Sequence, residues 1–133
     1  MPRVLKILII TTDIQFLLYW VLSALYLAGL ITLPEEMLFA NYHDGRVFAW
    51  NWSFLPLDLV FSISGLLAVR AAARGDRLWR SLAMMSLLLS SAAGGMAISY
   101  WIILSEYNLS WFLPNLILFL WPLPFLRQLI KEI

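Results

Sequence analysis

Four long apolar segments, separated by short polar stretches, constrain what this chain can fold into. They lie at about residues 7–31, 54–73, 82–104 and 111–126. A helix needs roughly 20 apolar residues to cross the ~30 Å hydrocarbon core of a bilayer, and the segments are near or above that length. With 62% hydrophobic and 13% charged residues among 133, the chain has no room for a separate soluble domain. The sequence predicts an all-α fold: one polytopic membrane domain, residues 1–133, forming a four-transmembrane-helix bundle.

The basic residues lie almost entirely at one end of these predicted helices. Cytoplasmic ends of membrane helices are enriched in Lys and Arg, so both termini are expected to be cytoplasmic. The apolar run after the basic start continues without a cleavage site, which predicts a retained helix rather than a signal peptide. Of the nine basic residues, Arg46 alone lies at the other end, and the eight at the terminal end are Arg3, Lys6, Arg70, Arg74, Arg77, Arg80, Arg127 and Lys131.

A carboxylate enters the second apolar segment close to its start. The preceding Trp50-Asn51-Trp52 is typical of a membrane interface, and Pro56 suits the first turn of a helix. Asp58 then enters hydrocarbon, where a carboxylate without a partner costs roughly 2.5–3.5 kcal/mol on insertion scales. Ser62 and Gly65 follow on the same helix face, at steps of four and seven residues. Asp58 is therefore the leading candidate for a functional residue.

A second carboxylate, Asp13, lies in the first apolar segment beside a stripe of polar residues. The stripe follows steps of three and four, so its members share one helix face. Asp13 falls about 100° from that face, on its flank. We expect the stripe to pack on other helices through hydroxyl hydrogen bonds, with a polar cavity wall as the alternative. Its members are Thr12, Gln15, Tyr19, Ser23 and Tyr26.

The longest connection is a predicted outer loop, residues 32–53. Connections of this length often carry function or some structure of their own. A short interfacial helix is expected at 34–39, and Asp44–Gly45 is typical of a turn. His43 beside Asp44 fits a solvated loop histidine better than a site pair.

The entries to the second and fourth segments are similar in sequence. Each combines Asn-x-Ser, an aromatic residue and Leu-Pro, and then reaches Asp58 or Asn115. Two like helical hairpins would pack about a pseudo-two-fold axis, which would place these two side chains at similar depth, close enough to share a hydrogen bond. Coincidence of interfacial composition is the alternative. The candidate ligand-binding residues are Asp58, Asn115, Asn51, Trp50, Trp52, Trp111 and Asp13.

Two lines of small residues mark the third segment as the most tightly packed helix. Small side chains four residues apart let helix backbones approach closely. Besides the lipid bilayer, the predicted partner is a second copy of the chain or another membrane protein, docked on this helix. The two lines are Ser86, Ser90 and Gly94, and Ser91, Gly95 and Ser99.

Several functional classes lack their sequence signatures. The chain has no cysteine and one histidine, so we expect no metal site. It has no glycine-rich phosphate loop and no basic–aromatic strand for nucleic acid, and we expect neither a cofactor nor a nucleic-acid partner.

Three motifs resemble those of the YvaD-like family of small bacterial four-helix membrane proteins. They are Ile-Thr-Thr-Asp at 10–13, Trp-Asn-Trp-Ser-Phe-Leu-Pro-Leu-Asp at 50–58 and Leu-Pro-Asn-Leu at 113–116. The resemblance covers essentially the whole chain. It implies a bacterial inner-membrane protein with four spans, and it transfers no catalytic residue.

The sequence leaves three functions open. It favours a structural or accessory subunit, or a small-molecule binding or transport module in which the buried carboxylates exchange protons. The alternative is a membrane-embedded enzyme acting on a lipid or isoprenoid-like substrate, with Asp58 as general acid. The absence of a second catalytic group at matched depth counts against the enzyme, because we expect Asp13 to lie more than ~10 Å from Asp58 along the membrane normal.

Overall fold

The structure is a computed structural model that describes residues 1–132, and within that range all regular structure is helical. Helix α2 leads directly into α3 and α5 into α6, so the chain forms four rods, each long and apolar enough to cross a membrane. The predicted all-α, four-helix membrane fold is confirmed. The elements are α1 (Arg3–Leu27), a 3₁₀ turn (Glu35–Met37), α2 (Gly45–Ser53), α3 (Leu55–Ala73), α4 (Trp79–Ile103), α5 (Leu109–Leu120) and α6 (Pro122–Lys131).

Helix α1 ends at Leu27, four residues before the end of the predicted segment at residue 31. Gly29 takes a left-handed conformation, with φ of +71°. The backbone N–H of Leu30 then donates to the carbonyl of Leu25 at 3.0 Å, which satisfies a carbonyl that the helix end leaves free. The apolar residues 28–31 therefore lie outside the helix.

The same kind of ending closes α3 and α4. Gly75, after α3, has φ of +71°, and Ser105, after α4, has φ of +55°. The residue after each donates its N–H to the carbonyl five positions back, at 3.0 and 3.1 Å. Ser105 is the more strained of the two, because a residue with a side chain disfavours the left-handed backbone conformation.

Residues 45–53, expected to be loop, form helix α2. Asp44, expected to mark a turn, instead caps this helix: its Oδ1 accepts hydrogen bonds from the N–H groups of Arg46 at 2.8 Å and Val47 at 3.3 Å. The chain bends at Phe54, and Pro56 lies in the first turn of α3, as the sequence predicts. The predicted helix at 34–39 is shorter than expected, a single 3₁₀ turn.

Helices α3 and α4 form the central pair of the bundle. Helix α1 packs mainly on α3, and α5 and α6 pack mainly on α4. We call the end where α1 begins and α6 ends the terminal end, and the opposite end, which holds residues 28–44, the loop end. An apolar cluster fills the terminal end; its buried members are Leu5, Ile9, Ala68, Ala83, Leu87, Leu126 and Leu129.

The small residues of α4 are used mainly inside the molecule. A Cβ added at Gly94 would lie 2.6 Å from the backbone oxygen of Asn115 and 2.6 Å from the backbone nitrogen of Phe119, so α4 and α5 touch there backbone to backbone. Ser91 Oγ donates to the Phe119 carbonyl at 2.7 Å. Ser99 faces outward and is the part of the predicted partner surface that stays exposed.

Candidate functional site

A partly enclosed cavity of about 90 Å³ lies at the loop end, between α1, α2, the start of α5 and the segment 33–42. Its polar lining comes from Ser23, Asn51 and the tyrosines, and the rest is apolar. Six of the twelve lining residues are aromatic: Tyr19, Tyr26, Phe39, Tyr42, Trp52 and Trp111. We call this group the aromatic cavity.

Hydrogen bonding and ring packing hold the aromatic cavity together. Tyr19 donates its hydroxyl to Asn51 Oδ1 at 3.1 Å, which joins α1 to α2. The buried Phe39 reaches down from the loop and packs against Tyr42 and Trp111, with ring centroids 4.8 and 6.4 Å apart. The segment around the 3₁₀ turn therefore covers the cavity.

Tyr42 also packs edge-on against Tyr26, with ring centroids 5.7 Å apart. Loss of hydration raises the pKa of the Tyr42 phenol above its ordinary value, and proximity to Tyr26 adds to the effect. The phenol therefore stays neutral at physiological pH.

Asp58 lies behind this cavity, buried between α3 and α1. Its Oδ2 accepts a hydrogen bond from Trp20 Nε1 at 2.9 Å, and its Oδ1 has no partner. The Trp20 ring packs on Trp52 with centroids 5.2 Å apart, so one side chain separates the carboxylate from the cavity wall. Only 3% of Asp58 is exposed, and a buried acceptor without a donor is costly.

The structure brings together only part of the predicted ligand-binding set. Asn51, Trp52 and Trp111 line the aromatic cavity, and Asp58 lies one side chain behind it. Trp50 lies elsewhere, stacked on Tyr100 with ring centroids 3.9 Å apart.

Asn115 also lies apart from Asp58. Its Nδ2 donates to the backbone carbonyl of Trp111 at 2.7 Å, and no hydrogen bond to Asp58 is formed among the described residues. Each side chain instead has its own partner, so the described residues lack the hydrogen bond that a sequence repeat would have allowed. Asn115 sits where α5 touches Gly94 of α4, whereas Asp58 faces α1.

Asp13 occupies the centre of the packing face of α1. The buried residues of α1 include Ile9, Asp13 and Trp20, while Gln15 of the polar stripe is exposed. A Cβ added at Gly65 of α3 would collide with Asp13 Oδ2, so the carboxylate fills the space that the glycine leaves open. Asp13 lies on the flank of the polar stripe, as its spacing predicts, but counting polar residues does not reveal that this flank is the face that meets α3.

A third buried polar group, Ser62, lies between the levels of the two carboxylates. It is fully buried, one helical turn beyond Asp58 on α3, and its hydroxyl has no hydrogen-bond partner. The four-residue spacing predicts that Ser62 and Asp58 share one face of the helix.

The role of Trp20 as the donor to Asp58 was missed in the sequence, because an apolar segment rich in aromatic residues does not indicate which indole will form a hydrogen bond.

The buried carboxylates lack a positively charged partner. The one salt bridge among residues 1–132 joins Arg80 and Glu132 at the surface, at 3.7 Å. No group of three metal-ligating side chains comes together in that range. An isolated carboxylate in an apolar interior takes up a proton or attracts a cation, because an unpaired buried charge costs far more than a neutral group. Proton exchange and cation attraction are therefore the chemistry that this arrangement can provide.

Comparison with known proteins gives two matches. Residues 5–133 match a family described as a family of unknown function, DUF5360. The chain is 39% identical over 132 residues to a Bacillus subtilis (strain 168) protein described as uncharacterized protein YvaD, and the match covers 98% of this chain and 94% of that protein. No solved structure matches the chain.

Proposed function

This chain belongs to the family of unknown function DUF5360, and on that premise we propose that it is a membrane protein that binds small amphipathic cations, as the binding step of a transport module. The observation that carries the proposal is the aromatic cavity, with six aromatic side chains around a space at the loop end. Aromatic cages are a recurring way to bind quaternary ammonium groups, because a cation is attracted to the faces of the rings.

The size of the cavity indicates what part of a ligand it takes. Pockets for drug-sized molecules measure about 300–1,000 Å³, whereas this one measures about 90 Å³. It has room for a methylated ammonium headgroup rather than for a whole amphipathic molecule. An alkyl tail would have to leave the cavity beside the contact between Tyr19 of α1 and Trp111 of α5, whose ring centroids lie 6.4 Å apart.

The charge of the loop end favours a cation as well. Its polar segments carry Glu35, Glu36, Asp44 and Glu106, against the single basic residue Arg46. Such an excess raises the local concentration of cations and their rate of association. In its ionised form Asp58, one side chain behind the wall, adds a further attraction that is weakly screened because the side chain is buried.

The location and orientation extend this proposal. We place the protein in the bacterial inner membrane, with the basic terminal end and both termini in the cytoplasm. The support is the concentration of eight basic residues at the terminal end. The aromatic cavity would then face outward.

Ligand-induced thermal stabilisation of the purified full-length protein in a neutral detergent tests the binding step. The probe is a short alkyl chain that ends in a trimethylammonium group, and the comparison compound has the same chain with a neutral tert-butyl end. The two have the same shape and differ in charge. We expect a concentration-dependent rise in melting temperature with the ammonium compound alone.

Two variants connect that signal to the site. Tyr42→Leu removes a ring from the cavity wall and should weaken binding by roughly 0.5–2 kcal/mol, the range of cation–π contacts. Tyr107→Leu is the matched control, because Tyr107 is exposed at the same end and packs on Phe112 outside the cavity. Equal stabilisation by both compounds, or equal losses in both variants, would contradict cation binding in the aromatic cavity.

A structural or accessory role is the second candidate, and the Trp20–Asp58 hydrogen bond favours it. That bond joins α1 to α3 and gives Asp58 a packing function without any ligand. A protein that melts normally and responds to neither compound would support this role. An enzymatic role for Asp58 has less support, because the other buried carboxylate, Asp13, is distant. Asp13 lies against Gly65, seven residues after Asp58 on α3, and at 1.5 Å per residue the two carboxylates are separated by about 10 Å along the helix axis.

A further inference from the structure

We infer that Asp13 exchanges its proton with the loop end of the molecule, through Ser62 and Asp58, and not with the terminal end. This goes beyond the proposed binding of a cation and does not depend on it. It assigns a route, a direction and a positioning residue, Ser62, to a carboxylate that the aromatic cavity does not use.

The route is marked by three buried oxygen atoms without hydrogen-bond partners. They are Asp58 Oδ1, Ser62 Oγ and Asp13 Oδ2, and their residues are at most 3% exposed. Buried polar atoms in folded proteins are almost always bonded to protein or to ordered water. Three unpartnered oxygens at successive levels of α3 therefore indicate a line along which water bonds and protons pass.

The spacing along α3 suits such a line. Ser62 is one turn from Asp58, and Gly65, which Asp13 overlies, is three residues further. Each step is about 5 Å along the axis at 1.5 Å per residue. One water molecule between neighbouring groups spans that distance with two hydrogen bonds of about 2.8 Å. The missing side chain at Gly65 lets the Asp13 carboxylate lie directly against α3, three residues from Ser62.

The terminal side of Asp13 is closed by the apolar cluster described above. Ile9 and Leu5, the next two residues on the buried face of α1, are 0% and 1% exposed. They pack with Ala68, Ala83 and Leu87, which offer no side-chain polar atom. A proton leaving Asp13 in that direction would cross about two helical turns without a group to accept it.

Aromatic side chains flank the route, and no described basic side chain pairs with its two carboxylates. Phe16 and Phe61 pack edge-to-face between the two carboxylate levels, with ring centroids 5.0 Å apart, and the route runs beside these rings. Tyr19 of α1 precedes Trp20, the donor to Asp58. In each transfer, one O–H bond breaks as another forms: Asp58 gives a proton to water, the Ser62 hydroxyl accepts one while donating its own, and Asp13 receives the last.

Hydrogen–deuterium exchange of the carboxylic acid groups, followed by infrared spectroscopy, tests the route. The full-length protein in lipid vesicles at mildly acidic pH is moved into deuterated buffer, and the carboxyl stretching bands are recorded with time. Asp13→Asn and Asp58→Asn assign one band to each residue. Ser62→Ala is the test variant, and Ser64→Ala is the matched control, because Ser64 is equally buried on α3 but its hydroxyl donates to the Phe61 carbonyl at 2.9 Å.

We expect Ser62→Ala to slow the exchange of the Asp13 band at least tenfold while the Asp58 band exchanges at its normal rate. Ser64→Ala should change neither band. Asp58→Asn should also slow the Asp13 band, since Asp58 lies between Asp13 and the loop end. Normal exchange of the Asp13 band in Ser62→Ala, or the lack of a protonated Asp13 band in the wild type, would overturn the inference. Because no ligand is present, these outcomes are independent of whether the aromatic cavity binds a cation.

Discussion

Gly65 of α3 lies directly against the carboxylate of Asp13 on α1, so the place of a missing side chain is taken by an acidic group from the neighbouring helix. A Cβ at Gly65 would collide with Asp13 Oδ2 and come within 2.7 Å of Ser86 Oγ and 2.9 Å of Ile9 Cγ2. Three helices therefore meet at this glycine. The contact fixes where α1 stands relative to α3 and α4.

The first prediction is that Gly65→Ala destabilises the protein by at least about 1 kcal/mol. Overpacking a filled interior costs roughly 1–3 kcal/mol, and the better helix propensity of alanine offsets only part of it. Thermal unfolding in detergent measures the loss. Gly45→Ala is the control, because nothing lies within 4 Å of a Cβ added there. If Gly65→Ala melts like the control, α1 can shift freely and the contact does not fix it.

The second prediction compares two adjacent glycines of α4. Gly94→Ala would press on the α5 backbone, whereas a Cβ at Gly95 first meets the Phe119 ring at 3.1 Å, and a ring can tilt. We expect Gly94→Ala to cost about 3 kcal/mol or more and Gly95→Ala about 1 kcal/mol or less. Similar melting temperatures for both variants would show that α4 and α5 separate easily.

The third prediction concerns the donor to Asp58. Trp20→Phe keeps an aromatic ring but removes the N–H group that bonds Asp58 Oδ2. We expect a loss of about 1–3 kcal/mol, the cost of leaving a buried polar group unsatisfied. In an Asp58→Leu background, which has no acceptor, the same change should cost clearly less. Equal losses in both backgrounds, measured as a double-mutant cycle, would mean that the hydrogen bond contributes nothing.

The fourth prediction concerns the left-handed residue after α4. Ser105 is exposed and has φ of +55°, a conformation that costs a residue with a side chain roughly 1–2 kcal/mol. We expect Ser105→Gly to raise the free energy of unfolding by up to about 1 kcal/mol, the remainder going to the greater freedom of glycine in the unfolded chain. Gly75→Ala, at φ of +71°, should lower it by a similar amount. A melting temperature that falls in Ser105→Gly would contradict this account.

The fifth prediction concerns orientation. Because the chain has no cysteine, single cysteines report which side a position faces. Glu36→Cys, at the loop end, should react with a membrane-impermeant thiol reagent in intact cells. Ser81→Cys, at the terminal end, should react only after the membrane is opened. The opposite pattern would place the basic residues outside, against the usual bias of membrane proteins.

The sequence predicted the architecture well, because apolar length and helix breakers act locally. The four rods lie close to the four apolar segments. The helix is interrupted between α5 and α6, directly before Pro122, because proline has no N–H group to continue the helical hydrogen bonds. The helix α2 was missed, although its signal was present. Asp44 is a good N-cap followed by residues without a breaker, and it was interpreted as a turn because glycine comes next.

The site was predicted only in part, because its formation depends on which helix faces meet. Asn51, Trp52 and Trp111 line one cavity because all three lie at the loop end of their helices. Phe39 and Tyr42 could not be placed, since their contribution depends on how the segment 33–42 folds back over α1. The contact between Asp13 and Gly65 joins residues 52 positions apart, and helical periodicity carries no information about such a pair.

The order in which α1 and its packing partner α3 are synthesised has a consequence for biogenesis. Helix α1 leaves the ribosome first, yet its main packing partner, α3, is synthesised more than fifty residues later. Until α3 arrives, Asp13 has no glycine to lie against and faces lipid or the insertion machinery, at a cost of roughly 2.5–3.5 kcal/mol. The first span therefore carries this penalty until α3 packs on it. A chain interrupted before Gly65 should insert α1 less efficiently than the intact protein does.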